Sequence, residues 1–78
     1  MDGIKVYFFG QLTDVTGVEQ VTVPVIEDSA ALEQWLLQKY PGLAAKKYRM
    51  AVNKQLITAT TALTKDSEVA LLPPFSGG

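Results

Sequence analysis

The sequence predicts a small α+β domain in which a mixed sheet of about five strands packs on one main helix. Three observations carry that expectation. Ile4, Val6 and Phe8 alternate near the start, Leu32, Trp35, Leu36 and Tyr40 recur at helical spacing in the middle, and a short apolar run, Val69-Ala70-Leu71-Leu72, lies close to the end. Seventy-eight residues leave room for one domain and one core. A chain this short buries only roughly 60% of the surface its unfolded form would expose. Because it has no cysteine, that core must come from packing alone. The 47% hydrophobic content, with Trp35, three Phe and three Tyr, supplies the large side chains.

The first strand is marked by Ile4, Val6 and Phe8 set against Lys5, Tyr7 and Phe9, a period of two with one strongly apolar face and one mixed face. Gly10 to Gly17 carries turn formers and reads as a loop. Val18 to Val25 alternates again, which makes a hairpin with the first strand. Pro24 has no amide to donate, so this second strand belongs at a sheet edge or ends there. Asp28 or Ser29 caps the helix, since a short side-chain oxygen accepts from the unpaired amides of the first turn. Leu32, Trp35, Leu36 and Tyr40 form its buried stripe, with Glu33, Gln34 and Lys39 largely off it. Pro41 and Gly42 close it.

Met50-Ala51-Val52 reads as a short strand, Asn53-Lys54-Gln55 as a turn, and Leu56-Ile57 as a second short strand. Thr58 to Thr64 has little pattern. Lys65-Asp66-Ser67 forms a turn into the last strand, Glu68 to Leu72, which Pro73-Pro74 ends by removing two backbone donors. Two strands, a helix, two short strands and a last strand is the order of a β-grasp, ubiquitin-like fold. It occupies residues 1–72 and leaves 73–78 as an extended C-terminal tail ending in Gly77-Gly78.

Composition removes several function classes. A net charge of -1, from seven basic and eight acidic residues, gives neither the basic footprint of a nucleic-acid binder nor an acidic tail. The only basic cluster, Lys46, Lys47 and Arg49, reads as a solvated loop. No apolar stretch approaches the roughly 18 residues of a membrane span, so a cytoplasmic protein with no membrane contact is expected. With no His and no Cys, the usual general base, thiol nucleophile and structural zinc ligands are missing. The chain is therefore not expected to be an enzyme on its own, and it is expected to bind no metal or cofactor.

The end of the sequence carries the chemistry that is left. Chain ends are often small and frayed, yet here a strand, a Pro73-Pro74 stiffener and then Phe75-Ser76-Gly77-Gly78 follow one another. Restricted φ at both prolines would hold the tail out as a semi-rigid rod. Glycine lacks a Cβ, so Gly77 and Gly78 would thread a narrow channel and let a reacting group approach the Gly78 carboxyl closely. Ordering Phe75 to Gly78 costs on the order of 4–8 kcal/mol of backbone freedom, whereas burying Phe75 returns roughly 1.5–3 kcal/mol. A tail of this kind needs help from the body. With Ile4, Val6, Phe8, Val69 and Leu71 on the core side, Tyr7, Phe9 and Leu72 fall on the opposite face. Phe9, Leu72 and Phe75 are then a candidate docking patch for partner proteins, the alternative being that one or two of them, Phe9 among them, simply pack under the Gly10–Gly17 loop.

Residues along almost the whole chain carry a family resemblance. Ile4 to Leu12, Tyr40-Pro41-Gly42-Leu43, Ala51-Val52-Asn53 and Glu68 to Gly78 together resemble the small subunit of molybdopterin synthase, the MoaD-type sulfur carrier of the ubiquitin-like ThiS/MoaD family. That resemblance implies a mechanism. A MoeB-like adenylating enzyme uses ATP to activate the terminal carboxylate, here Gly78, and a persulfide sulfur-donor protein supplies the sulfur that makes it a thiocarboxylate. The tail then enters the large subunit of a heterotetrameric synthase, whose active site passes the sulfur to a cyclic pyranopterin phosphate to build the molybdopterin dithiolene of the molybdenum cofactor. Family members usually carry glycine in the turn before the last strand and a smaller Val in place of Phe75; this chain has Lys65-Asp66-Ser67 and Phe75. Other readings remain open: a thiamine-type sulfur carrier, a modifier that joins Gly78 to lysines, or a non-catalytic β-grasp interaction domain.

Overall fold

The computed structural model describes residues 3–74. Its elements are β1 (Ile4–Phe8), α1 (Leu12–Thr16), β2 (Gln20–Val23), α2 (Ser29–Lys39), a 3-10 turn (Pro41–Ala45), β3 (Arg49–Val52), β4 (Gln55–Leu56) and β5 (Glu68–Leu72). The strands form one mixed sheet in the order β2-β1-β5-β3-β4. Only β1 and β5 run parallel, with Val6 beside Val69 and Phe8 beside Leu71; the other pairs are antiparallel. This is the β-grasp arrangement the element order predicts, and β2, with Pro24 just beyond it, lies on the outer edge.

The alternation in β1 and β5 works as read. Ile4, Val6, Phe8, Val69 and Leu71 are buried against Leu32 and Leu36 of α2. Asp28 caps that helix by accepting from the Ala31 amide at 2.8 Å, a contact of the kind that contributes about 1 kcal/mol. The helix stops at Lys39, and Gly42 sits within the 3-10 turn instead of terminating the helix in a left-handed conformation. Trp35 and Tyr40 are only partly buried, and Tyr40 sets its ring edge-on to Phe8 with centroids 5.6 Å apart.

Several details depart from the sequence reading. The Gly10–Gly17 segment holds a single helical turn, α1, which buries Leu12 and ends at Gly17 with φ of 77°. One turn is too short to show periodicity, so turn-forming residues dominate its sequence. β2 is shorter than the alternation from Val18 to Val25, and Val18 and Val25 are exposed beyond its ends. β3 and β4 join through a two-residue turn, Asn53-Lys54, with φ of 51° and 72°, the mirror-image turn that matches the sheet twist. β4 therefore begins at Gln55, one residue before the strand read from Leu56-Ile57. The weakly patterned stretch contributes Leu63 to the core, held where the Leu63 amide donates to the Glu27 carbonyl and the Thr61 amide to Ser29 Oγ, both at 2.9 Å. No helix among the described residues is long and apolar enough to cross a membrane.

Tyr48, just before β3, ties the sheet to the helix by donating its hydroxyl to Glu33 at 2.7 Å. Burial, together with that hydrogen bond and the Glu33 charge, pushes the Tyr48 phenol above its ordinary value. A folded-state value raised in this way contributes stability that is complete below the unfolded phenol value, about 10, and is lost as the pH rises through the folded value. The stability difference between wild type and Tyr48→Phe, measured by urea denaturation, should stay constant between about pH 6 and 9 and shrink above about 10.

Candidate functional site

β5 leads straight into Pro73 and Pro74, the last described residues, so the site begins where the sheet ends. Because β1 and β5 are parallel, their ends lie side by side. The Phe9 amide donates to the Leu71 carbonyl at 3.2 Å, which extends the β1–β5 ladder past Phe8 to the root of the tail.

The sheet has an open face opposite α2. Paired residues share a face, so Tyr7, Ala70, Ala51 and Leu56 form a row across it, from Tyr7 beside Ala70 to Ala51 beside Leu56. Leu72 is paired with Arg49 one pleat closer to the tail, and Phe9 continues the same side of β1. Phe9 is 47% exposed and Leu72 half-buried. The alternative in which Phe9 packs beneath the Gly10–Gly17 segment is therefore not what the structure shows. Phe9, Tyr7 and Ala70 line an apolar groove of about 270 Å³ whose other walls include Lys54 and Glu68. Lys5 stands beside Glu68 in the ladder, so charges border the groove at the end away from Leu72.

Of the residues singled out in the sequence, Phe9, Leu72 and Pro73 are brought together at one end of this face, and Pro74 continues outward as an exposed residue. Phe75, Ser76, Gly77 and Gly78 lie outside the described residues. Leu56, 53% exposed on β4, is a further apolar member of the face that the sequence reading left without a role. Its signal was present in the hairpin register, since Ala51 pairs with Leu56 once the turn is Asn53-Lys54.

The groove is held in place from below. The Asn53 amide donates to the Glu68 carbonyl at 2.8 Å, and Asn53 Oδ1 accepts from the Glu68 amide at 2.9 Å, which fixes the β3–β4 turn to the start of β5. Ahead of β5, the turn at residues 64–67 closes through Ser67, whose buried Oγ accepts from the Thr64 amide at 2.9 Å. The arrangement is an open apolar surface beside the root of the tail. Among the described residues there is no cluster of three or more His, Cys, Asp or Glu that could hold a metal ion.

Residues 6–78 match the family model described as the ThiS family. The chain belongs to the ThiS family. The match runs from within β1 to the last residue, so it takes in both the open-face patch and all the tail positions. The molybdopterin synthase sulfur carrier subunit of Caenorhabditis briggsae is 33% identical over an alignment of 84 positions that takes in 100% of each chain. Among solved structures, a chain of the complex between subunits 1 and 2 of the Helicobacter pylori molybdopterin-converting factor is 29% identical, with a TM-score of 0.73 over 96% of this chain and 97% of that one. The small archaeal modifier protein 1 of Methanosarcina acetivorans superposes with a TM-score of 0.82 over 100% of this chain and 98% of that one. At 23% identity, that likeness concerns the fold alone.

Within this ThiS chain the two faces of the sheet should respond differently to charge. Phe9→Asp, on the open face, should change unfolding free energy by no more than about 0.5 kcal/mol. Val69→Asp would bury an unpaired carboxylate in the core and should cost more than about 4 kcal/mol, enough to abolish cooperative folding. Circular-dichroism melts of the two variants make the comparison.

Proposed function

We propose that this chain is the sulfur carrier subunit of a molybdopterin synthase and that the Gly78 carboxyl is the group that carries the sulfur. The observation that carries the reading is the end-to-end match with a molybdopterin synthase sulfur carrier subunit, 100% of each chain, in a fold that sets an open apolar face beside the root of the tail.

The chemistry follows from what a carboxylate lacks. Its negative charge resists attack, and oxide is not a leaving group. An adenylating enzyme solves both problems: a Gly78 oxygen attacks the α-phosphorus of ATP, pyrophosphate departs, and the acyl adenylate has AMP as its leaving group. Sulfur from a persulfide donor protein then attacks the acyl carbon and AMP leaves; a thiol cleaves the resulting acyl disulfide, which releases the thiocarboxylate and leaves the donor in a disulfide with that thiol. The partners supply acid, base and sulfur, which accords with a chain that has no His and no Cys. Transfer to a cyclic pyranopterin phosphate in the large subunit, followed by hydrolysis of the acyl–sulfur bond, returns Gly78 as a carboxylate for another round.

The body and the tail divide the binding. Four residues beyond Pro74 reach at most about 13 Å, a span suited to threading from the carrier surface into a neighbouring subunit. Glycine at 77 and 78 keeps the end of the thread free of side chains. Phe9 and Leu72, with Phe75 from the tail, form the surface that docks the body, and Leu56 extends the same face toward its far edge. The two-subunit Helicobacter pylori complex supports a large subunit as that partner.

Reconstitution with the large subunit, the adenylating enzyme, ATP, a persulfide donor and the cyclic pyranopterin phosphate tests the reading. Wild type should support dithiolene formation, and a chain lacking Gly77 and Gly78 should give background levels. Phe9→Asp should weaken binding to the large subunit by about tenfold or more, the equivalent of one apolar anchor. Full activity of the truncated chain would favour an interaction domain, and lysine conjugates formed by wild type in place of dithiolene would favour a modifier.

A further inference from the structure

One close approach joins the end of β1 to the root of the tail. Gly10 has φ of 59°, and a Cβ built on it would stand 2.8 Å from Pro73 Cγ, with Cδ at 3.6 Å and Cβ at 3.8 Å. Non-bonded carbons settle near 3.5–4.0 Å, so the proline ring lies in space that any side chain at position 10 would claim. We propose that Gly10 is the seat of Pro73 and that this contact aims the tail; Gly10 is thereby a positioning residue for delivery of Gly78 to a partner's active site. The proposal rests on the carrier reading above and adds to it the device that sets the tail's direction.

Both sides of the contact are held. On the Gly10 side, the Phe9 amide donates to Leu71, and the Gly10 carbonyl accepts from the Thr13 amide at 3.2 Å and from Thr13 Oγ1 at 2.9 Å. On the Pro73 side, Leu72 is paired with Arg49, and Leu71 lies between Phe8 and Met50. A long side chain in the place of Pro73 would relieve a clash by changing rotamer. The proline ring is closed onto its own backbone nitrogen, so its Cγ moves only by a change of ring pucker and not to another rotamer. Relief at position 10 beyond what a pucker change gives moves the backbone of Pro73. The paired strand resists that movement upstream, so it passes downstream into Pro74 and the tail. A shift of about 0.7 Å or more at the ring restores an ordinary separation and changes the direction in which Pro74 leads the chain away from the sheet.

Misplacement on that scale matters because reacting groups must meet within a narrow geometry, and about 1 Å of error can lower a rate by about a hundredfold. The contact also explains why glycine stands at this left-handed position. Glycine there meets the backbone requirement and leaves room for the ring at once.

A double-mutant cycle separates the contact from the backbone requirement. Gly10→Ala is compared with glycine in two backgrounds, one with Pro73 and one with Pro73→Ala, which removes Cγ and Cδ. Each protein is prepared as the Gly78 thiocarboxylate and assayed for sulfur delivery to the large subunit's substrate. With Pro73 present, Gly10→Ala should lower kcat/KM by about tenfold or more, while the circular-dichroism spectrum stays native. In the Pro73→Ala background the same substitution should change kcat/KM by less than about threefold. Equal losses in the two backgrounds would overturn the proposal by assigning the effect to left-handed strain; no loss in either would overturn it as well. Gly10→Asn carries the same Cβ and tolerates positive φ, and it takes the place of Gly10→Ala if the alanine variant does not fold.

Tail direction is measured without any partner. The chain has no cysteine, so Ser76→Cys takes a single nitroxide, and its paramagnetic broadening of backbone amides reports where the tail points. Gly10→Ala should shift the set of broadened amides, and Pro73→Ala should cancel that shift; an unchanged pattern would overturn the proposal. A wild-type thiocarboxylate that delivers no sulfur would count against the carrier reading alone, since the nitroxide comparison does not depend on it.

Discussion

The parallel pairing of β1 with β5 is the constraint on which both the core and the site depend. It brings the first and last strands together at the middle of the sheet, with β2 outside one and β3 and β4 outside the other. Its register places Val6 beside Val69 and Phe8 beside Leu71 on the helix side, and Tyr7 beside Ala70 on the open side. A slip of β1 by one residue would drive Tyr7 into the core and turn Val6 and Phe8 outward, so burial enforces the register strongly. Parallel strands also finish at the same end. That is why Phe9 and Gly10, which follow β1, meet Leu72 and Pro73, which close β5. An antiparallel pairing would send the tail out at the far end, away from Phe9.

How much of this could be read from residues alone varied with the length and regularity of each element. β1 alternates, β5 is a short apolar run bounded by a turn and two prolines, and α2 has a cap at Asp28 and a stripe at Leu32 and Leu36, so all three emerge almost as read. α1 does not, because a five-residue helix anchored by Leu12 leaves no repeat to detect. Leu43 and Leu63 enter the core from a 3-10 turn and an irregular segment, where burial depends on tertiary contact and not on period. The site divides in the same way. Alternation puts Phe9 and Leu72 on the open face correctly. The role open to Leu56 required knowledge of the hairpin register, and the seat of Pro73 on Gly10 required coordinates, because it joins residues sixty-three positions apart.

The proposed chemistry follows from this division between body and tail. The body has one packed face and one apolar open face, tied at its corners by Asn53, Ser67 and the Tyr48–Glu33 contact. It has no His and no Cys, and so no usual general base and no thiol nucleophile. A carrier has no need of either. What it needs is a surface that partners recognise and a carboxyl that reaches into their active sites, and ThiS membership across residues 6–78 unites those features in one chain.

Intact-mass spectrometry of the protein purified from the cells that make it reads the state of Gly78 without any assumption about partners. A species heavier by the difference between sulfur and oxygen, with the added mass located on Gly78 by fragmentation, is the expected result. A population in which Gly78 carries only an ordinary carboxylate under conditions of active cofactor synthesis, or is joined through an amide to lysines of other proteins, would contradict sulfur carriage by this chain.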